Sequence, residues 1–117
     1  GASHVDFFYY YPDTLKILKT NINNLNCNKI TQVWPIDTFD QKSIKSLKNT
    51  YEIVFIDPPY KEKKTSNLVE EILKLNILKK NGIIIIHRHK NENEEFKKKF
   101  NILVQRKYGI SKIIFGN

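Results

Sequence analysis

The residues best equipped for chemistry are four in a row, Asp57-Pro58-Pro59-Tyr60. They follow the apolar run Tyr51–Ile56, and neither proline has an N–H with which to continue a strand ladder. The prolines therefore impose a stiff, extended exit at a strand's carboxyl end, where open α/β sheets bind ligands. There the Asp57 carboxylate and the Pro58 carbonyl become acceptors held with little freedom. An amino group on an aromatic base is a poor nucleophile because its lone pair is delocalised into the ring. Acceptors set against its two hydrogens orient it and favour the geometry in which the nitrogen attacks an electrophilic methyl group. Tyr60 adds a flat face on which an extruded base can stack. The plain alternative is an ordinary Pro-Pro turn, and the strand before it and the aromatic after it favour the chemical reading.

Lys61, Lys63 and Lys64 come next, and such a loop either neutralises phosphates or is simply solvated. His87, Arg88, His89 and Lys90 end the following apolar run on the same carboxyl edge, and Arg88 is read as a second basic contact for nucleic acid. Two histidines two residues apart could share a strand face, but no cysteine or carboxylate cluster completes a metal site, and none is expected. Arg106 is a further basic contact, whereas Tyr108 is read as packing in the last hairpin. Trp34 beside Pro35 is read as a core or edge anchor, and Cys27, in an asparagine-rich loop, as uncatalytic.

Strand and helix signals that alternate along the chain must position these groups. His4–Tyr11 reads as a strand, and Pro12 opens a helix carrying Leu15, Leu18, Ile22 and Leu25 at helical spacing. Ile30–Ile36 is a second strand, and Lys42–Lys48 a short helix with Ile44 and Leu47 on one face. After the strand Tyr51–Ile56, Leu68, Val69, Ile72, Leu73 and Leu78 mark an amphipathic helix, with Gly82 as its stop. Ile83–Ile86 is a buried strand, Glu92–Phe100 a charged helix, and Ile102–Lys107 with Lys112–Phe115 a hairpin turning at Tyr108-Gly109. The pattern predicts one α/β domain over residues 1–117, its sheet mainly parallel with an antiparallel carboxyl-terminal hairpin.

The chain has 117 residues, 40% of them hydrophobic, and a formal charge of +8, which suits an anionic partner or a lysine-rich solvated surface. No run is long and apolar enough to span a membrane. A single cysteine cannot form an internal disulfide, which fits a cytoplasmic setting. The chain contains no methionine, and we expect it to be a segment of a longer protein.

The opening Gly1-Ala2-Ser3-His4-Val5, the run ending in Asp57-Pro58-Pro59-Tyr60, Leu78-Lys79-Lys80-Asn81-Gly82 before the isoleucines, and the closing Arg106-Lys107-Tyr108-Gly109-Ile110-Ser111-Lys112 together resemble the RsmD family. Those bacterial enzymes methylate guanine N2 in 16S ribosomal RNA. The resemblance covers the whole chain, and the Arg-x-Tyr-Gly-x-Ser ending is more specific than the tetrapeptide, which amino-group methyltransferases share widely. It implies a class I, Rossmann-like methyltransferase fold whose methyl donor is S-adenosyl-L-methionine and whose partner is 16S rRNA or the small ribosomal subunit. Asp57, Pro58, Pro59 and Tyr60 would be catalytic, Tyr9, Asp37 and Thr38 would hold the cofactor, and Lys61, Lys63, Lys64, Arg88 and Arg106 would meet RNA.

Two departures stand out. The family's glycine-rich loop and first strand precede the point that matches Gly1, and the four glycines here are isolated. Without that strand, Val5–Tyr10 and Tyr51–Ile56 must pair directly, borrow a strand from another molecule, or leave edges open to self-association. Tyr9 also stands where relatives carry an acid for the ribose hydroxyls. Two rival readings follow: a DNA adenine-N6 methyltransferase, which shares the tetrapeptide, and a basic RNA-binding remnant without catalysis.

Overall fold

A computed structural model describes all 117 residues, which divide into two compact units, Gly1–Ser43 and Ile44–Asn117. The strands divide likewise, into a two-stranded and a four-stranded sheet. No helix is long and apolar enough to cross a membrane.

The first unit is built around a β-α-β crossover. β1 (Val5–Phe8) and β2 (Thr31–Trp34) are parallel, in register from Val5 against Thr31 to Phe8 against Trp34. β1 is shorter than the expected His4–Tyr11, with one further bond from Tyr9 N–H to the Trp34 carbonyl at 3.1 Å. Between them runs α1 (Pro12–Asn24), with proline in its first turn, where a missing N–H costs nothing, and Asp13 facing the helix dipole favourably. Ile22 is its buried residue, while Leu25 caps the end and lies exposed rather than continuing the inner face. Asn26 then takes φ 54°, a left-handed conformation that asparagine tolerates. Phe8 stacks on Trp34 with ring centroids 6.3 Å apart. The short α2 (Gln41–Lys45) begins where the Asp40 carboxylate accepts the Ser43 N–H at 3.0 Å.

The second unit is a mixed sheet in the order β3-β4-β6-β5. β3 (Tyr51–Ile56) and β4 (Leu78–His89) are parallel, linked through α3 (Thr65–Lys74). β5 (Ile102–Tyr108) and β6 (Ser111–Gly116) form the expected antiparallel hairpin, with Gly109 at φ +56° in its turn. Because β6 also pairs antiparallel with β4, the two sheets together hold two parallel and two antiparallel pairings. One side of the sheet carries Ile56, Ile84, Ile86 and Ile114, all buried; with Leu68, Val69 and Ile72 of α3, Ile77 and Phe100 they form the core. On the other side of β3, Ile53 and Phe55 are each 62% exposed. β1 pairs with β2 in the two-stranded sheet, and β3 pairs with β4 in the four-stranded one.

Two expectations are corrected. α3 ends at Lys74, capped by Leu75, with Asn76 at φ 54°, so asparagine supplies the stop assigned to Gly82, and Leu78 opens β4 instead of closing the helix. Gly82 lies inside β4, where Leu78 pairs with Tyr51 and Ile83 with Ile53, so Lys79–Gly82 form a bulge. A Cβ on Gly82 would come within 2.8 Å of the Lys79 carbonyl oxygen, which explains the glycine. Residues Glu92–Phe100 form no helix, although Phe96 and Phe100 do meet at 4.9 Å. Their intrinsic helix preference loses to tertiary ion pairs, since Glu92 and Glu94 turn inward to Arg88.

Candidate functional site

Ile56 pairs with Ile86, so the chain leaves β3 with Asp57 level with His87. His87 Nδ1 lies 2.9 Å from Asp57 Oδ1, and its Nε2 lies 3.0 Å from Ser111 Oγ at the start of β6. A carboxylate can only accept, so Nδ1 carries the proton towards Asp57; in the neutral ring Nε2 then accepts from the Ser111 hydroxyl. The ring fixes one oxygen of a carboxylate whose side chain stays 58% exposed. Tyr60 is 56% exposed and meets His89 edge-on at 5.1 Å.

The opposite side of the sheet holds the rest of the turn. The Pro59 carbonyl accepts the Glu62 N–H at 2.9 Å and Arg88 Nη1 at 3.1 Å, while the Glu62 carbonyl accepts Arg88 Nη2 at 2.9 Å. The same guanidinium pairs with Glu92 at 3.3 Å and with Glu94. Lys112, its cross-strand neighbour, donates to the Glu92 carbonyl. Arg88 is only 2% exposed. Its assignment as an RNA contact is therefore corrected: its Nη donors go to the turn and to Glu92, its charge is met by Glu92 and Glu94, and its burial leaves no face for a phosphate. It is a positioning residue for the Asp57–Tyr60 turn.

Lys61, Lys63 and Lys64 remain exposed at the surface. Lys63 approaches Glu92 at 3.8 Å, and the Lys64 N–H donates to the Glu62 carboxylate at 2.8 Å, so the lysine loop folds over its own acid. Arg106 lies exposed on β5, opposite Ile113, which in turn faces His87. Sequence reasoning passed over Ser111, Glu92 and Glu94. Ser111 was within reach as the serine of the closing pattern, whereas the glutamates were hidden in a segment read as a helix.

In the first unit, Tyr9 follows the carboxyl end of β1, and Asp37 and Thr38 come soon after that of β2. Asp37 Oδ1 accepts the Phe39 N–H at 2.9 Å and the Asp37 carbonyl accepts the Asp40 N–H at 3.2 Å, which makes it a turn residue as well as a half-buried acceptor. That acceptor and the adjoining backbone suit an adenine ring. Tyr9 offers one phenol where a ribose calls for a paired anionic acceptor, so the fit to S-adenosylmethionine is partial. A cavity of about 230 Å³ in this unit is lined by Lys19, Ile22, Asn23, Asn28, Thr31 and Val33 and touches none of these three residues.

The family model described as Conserved hypothetical protein 95 matches residues 1–117, the whole chain. A methylase of Rickettsia prowazekii, itself uncharacterised, is 33% identical over 64 residues, which cover 55% of this chain and 27% of that protein. A conserved hypothetical protein of Streptococcus pyogenes superposes with TM-score 0.87 at 21% identity over 100% of this chain and 73% of its own. A Haemophilus influenzae protein assigned as a methylase superposes with TM-score 0.80 at 22% identity, over 98% and 72%. The match to the Rickettsia protein thus spans about a quarter of its length. The architecture is a class I methyltransferase-like α/β fold with a mixed sheet, present in part.

Proposed function

We propose, because the chain belongs to the Conserved hypothetical protein 95 family of RsmD-type proteins, that it takes part in methylating N2 of a guanine in small-subunit ribosomal RNA. One observation carries the reading. At the carboxyl end of β3, His87 holds the Asp57 carboxylate on one side of the sheet and Arg88 holds the turn at the Pro59 carbonyl on the other, with the exposed Tyr60 beside them. Asp57 orients the amino group through its open oxygen, and Pro58 presents a second acceptor on a backbone that cannot swing. Tyr60 stacks on the extruded base, and Asp57 is placed to take the proton the nitrogen sheds. S-adenosylmethionine, when bound, supplies the methyl group, and Tyr9, Asp37 and Thr38 are the residues that would hold its adenosine half. Lys61, Lys63 and Lys64 supply cations for the RNA backbone around the site.

The partial fit at Tyr9 favours one second reading, an RNA-binding chain without catalysis. Isotope-labelled S-adenosylmethionine, offered with undermodified small subunits or with duplex DNA, separates the readings. Label on guanine N2 of the ribosomal RNA supports the proposal, and label on DNA adenine gives the site to another substrate. Failure of the chain to bind the labelled cofactor rejects the proposal for this polypeptide.

A further inference from the structure

Every residue of β5 is exposed, and the strand ends in Tyr108, 60% exposed, where packing in the hairpin was expected. Tyr108 pairs with Ser111, which pairs with His89, whose ring touches Tyr60. These side chains share one side of the sheet, because laterally paired residues point the same way. Arg106 pairs with Ile113 and Ile113 with His87, so Arg106 stands one step back on that same side. The row runs from the candidate catalytic turn, Tyr60 and His89, outwards to Tyr108 and Arg106. Neighbouring strands are about 4.8 Å apart, so β4 and β5 positions are separated by roughly 10 Å. At about 3.4 Å per nucleotide along a stacked strand, that is a span of roughly three nucleotides.

The chemistry of the row selects its partner. Neither β5 nor β6 contains an acidic residue, and Arg106 and Lys107 make no ion pair. Unpaired cations on an edge strand oppose pairing with a second copy of that strand. Lys107 faces the other side of the sheet with Lys112, and Arg106 stands on the side of the exposed rings; a cation that neutralises phosphate beside rings that stack on bases suits an unpaired nucleic-acid strand. Resting on the RNA-methylation reading for the identity of the strand, we infer that the Tyr60–His89–Tyr108 row with Arg106 binds the single-stranded RNA flanking the target base, with Tyr108 stacking on a neighbouring nucleotide.

The test is fluorescence anisotropy of the 117-residue chain with a labelled single-stranded RNA of about ten nucleotides, beside the same sequence as duplex RNA and as single-stranded DNA. Tyr108→Ala should weaken binding of the single-stranded RNA at least about fivefold, Tyr108→Phe should retain it, and Arg106→Gln should lower the log–log salt slope by about one. Binding within about twofold of wild type in Tyr108→Ala overturns the inference, as does equal or tighter binding of the duplex or of DNA. Loss in Tyr108→Phe equal to that in Tyr108→Ala also overturns it, since the stacking ring is then not the cause. Methyl transfer is read separately: a chain that binds RNA through Tyr108 yet transfers no methyl group refutes the enzymatic reading and leaves the RNA track standing.

Discussion

His87 and Arg88 are consecutive residues on β4, and they serve the same turn from opposite sides of the sheet. His87 sits half-buried on the more open side and fixes the Asp57 carboxylate, with Ser111 behind it. Arg88 is buried on the core side and fixes the Pro59 and Glu62 carbonyls, with Glu92 and Glu94 as its counter-charges. The carboxylate is held where solvent can reach it, while the turn that carries it is tied back to a buried guanidinium. A buried arginine with five donors suits backbone carbonyls and carboxylates together, and an imidazole with two opposed nitrogens suits a linear chain of acceptor and hydroxyl.

This division predicts different losses on the two sides. Arg88→Met should cost the most stability, about 3–5 kcal/mol, because it leaves Glu94 buried without its cation and removes a donor from each of the Pro59 and Glu62 carbonyls; urea midpoints measure it. Ile86→Ala, in the same buried layer, should follow at about 3 kcal/mol. His87→Ala should change stability far less but slow methyl transfer by about tenfold, with the loss in kcat rather than KM. Combining it with Asp57→Asn should add little to the loss from the aspartate alone, since both act on one carboxylate. If His87→Ala destabilises the chain as much as Arg88→Met, the two sides do not divide as described. Phe55→Thr, on the open side of β3, should lie within about 0.5 kcal/mol of wild type.

The smallest effect belongs to the exposed pair of Glu52 and Lys79, 2.6 Å apart across β3 and β4. The hydrogen bond and charge of Lys79 hold the Glu52 carboxyl below its usual value, so the stabilisation is present above the ordinary carboxylate range and fades as pH falls through the lowered value. The difference in urea midpoint between wild type and Lys79→Ala should therefore be present near neutrality and disappear in acid.

The tetrapeptide after a buried strand, the strand–helix alternation and the closing hairpin were all legible because each rests on local rules: prolines that cannot pair, periodicities of two and 3.6, and a glycine at positive φ. The same local rules misplaced the segment Glu92–Phe100 and the end of α3. Charged helix formers gave way to a buried arginine that no periodicity reveals, and asparagine at φ 54° did the work expected of glycine.

The sequence by itself determined which residues are acceptors, which strand they leave, and that prolines hold them stiffly, because covalent structure and nearest neighbours suffice for that. The tertiary structure alone decided the roles of three residues that look alike on paper as polar or basic groups. Arg88 faces inward while Arg106 faces water, and Ser111 meets a histidine 24 residues away in the chain. Strand pairing sets side and depth for each position, and burial then decides whether a cation is spent on its own chain or left for another molecule.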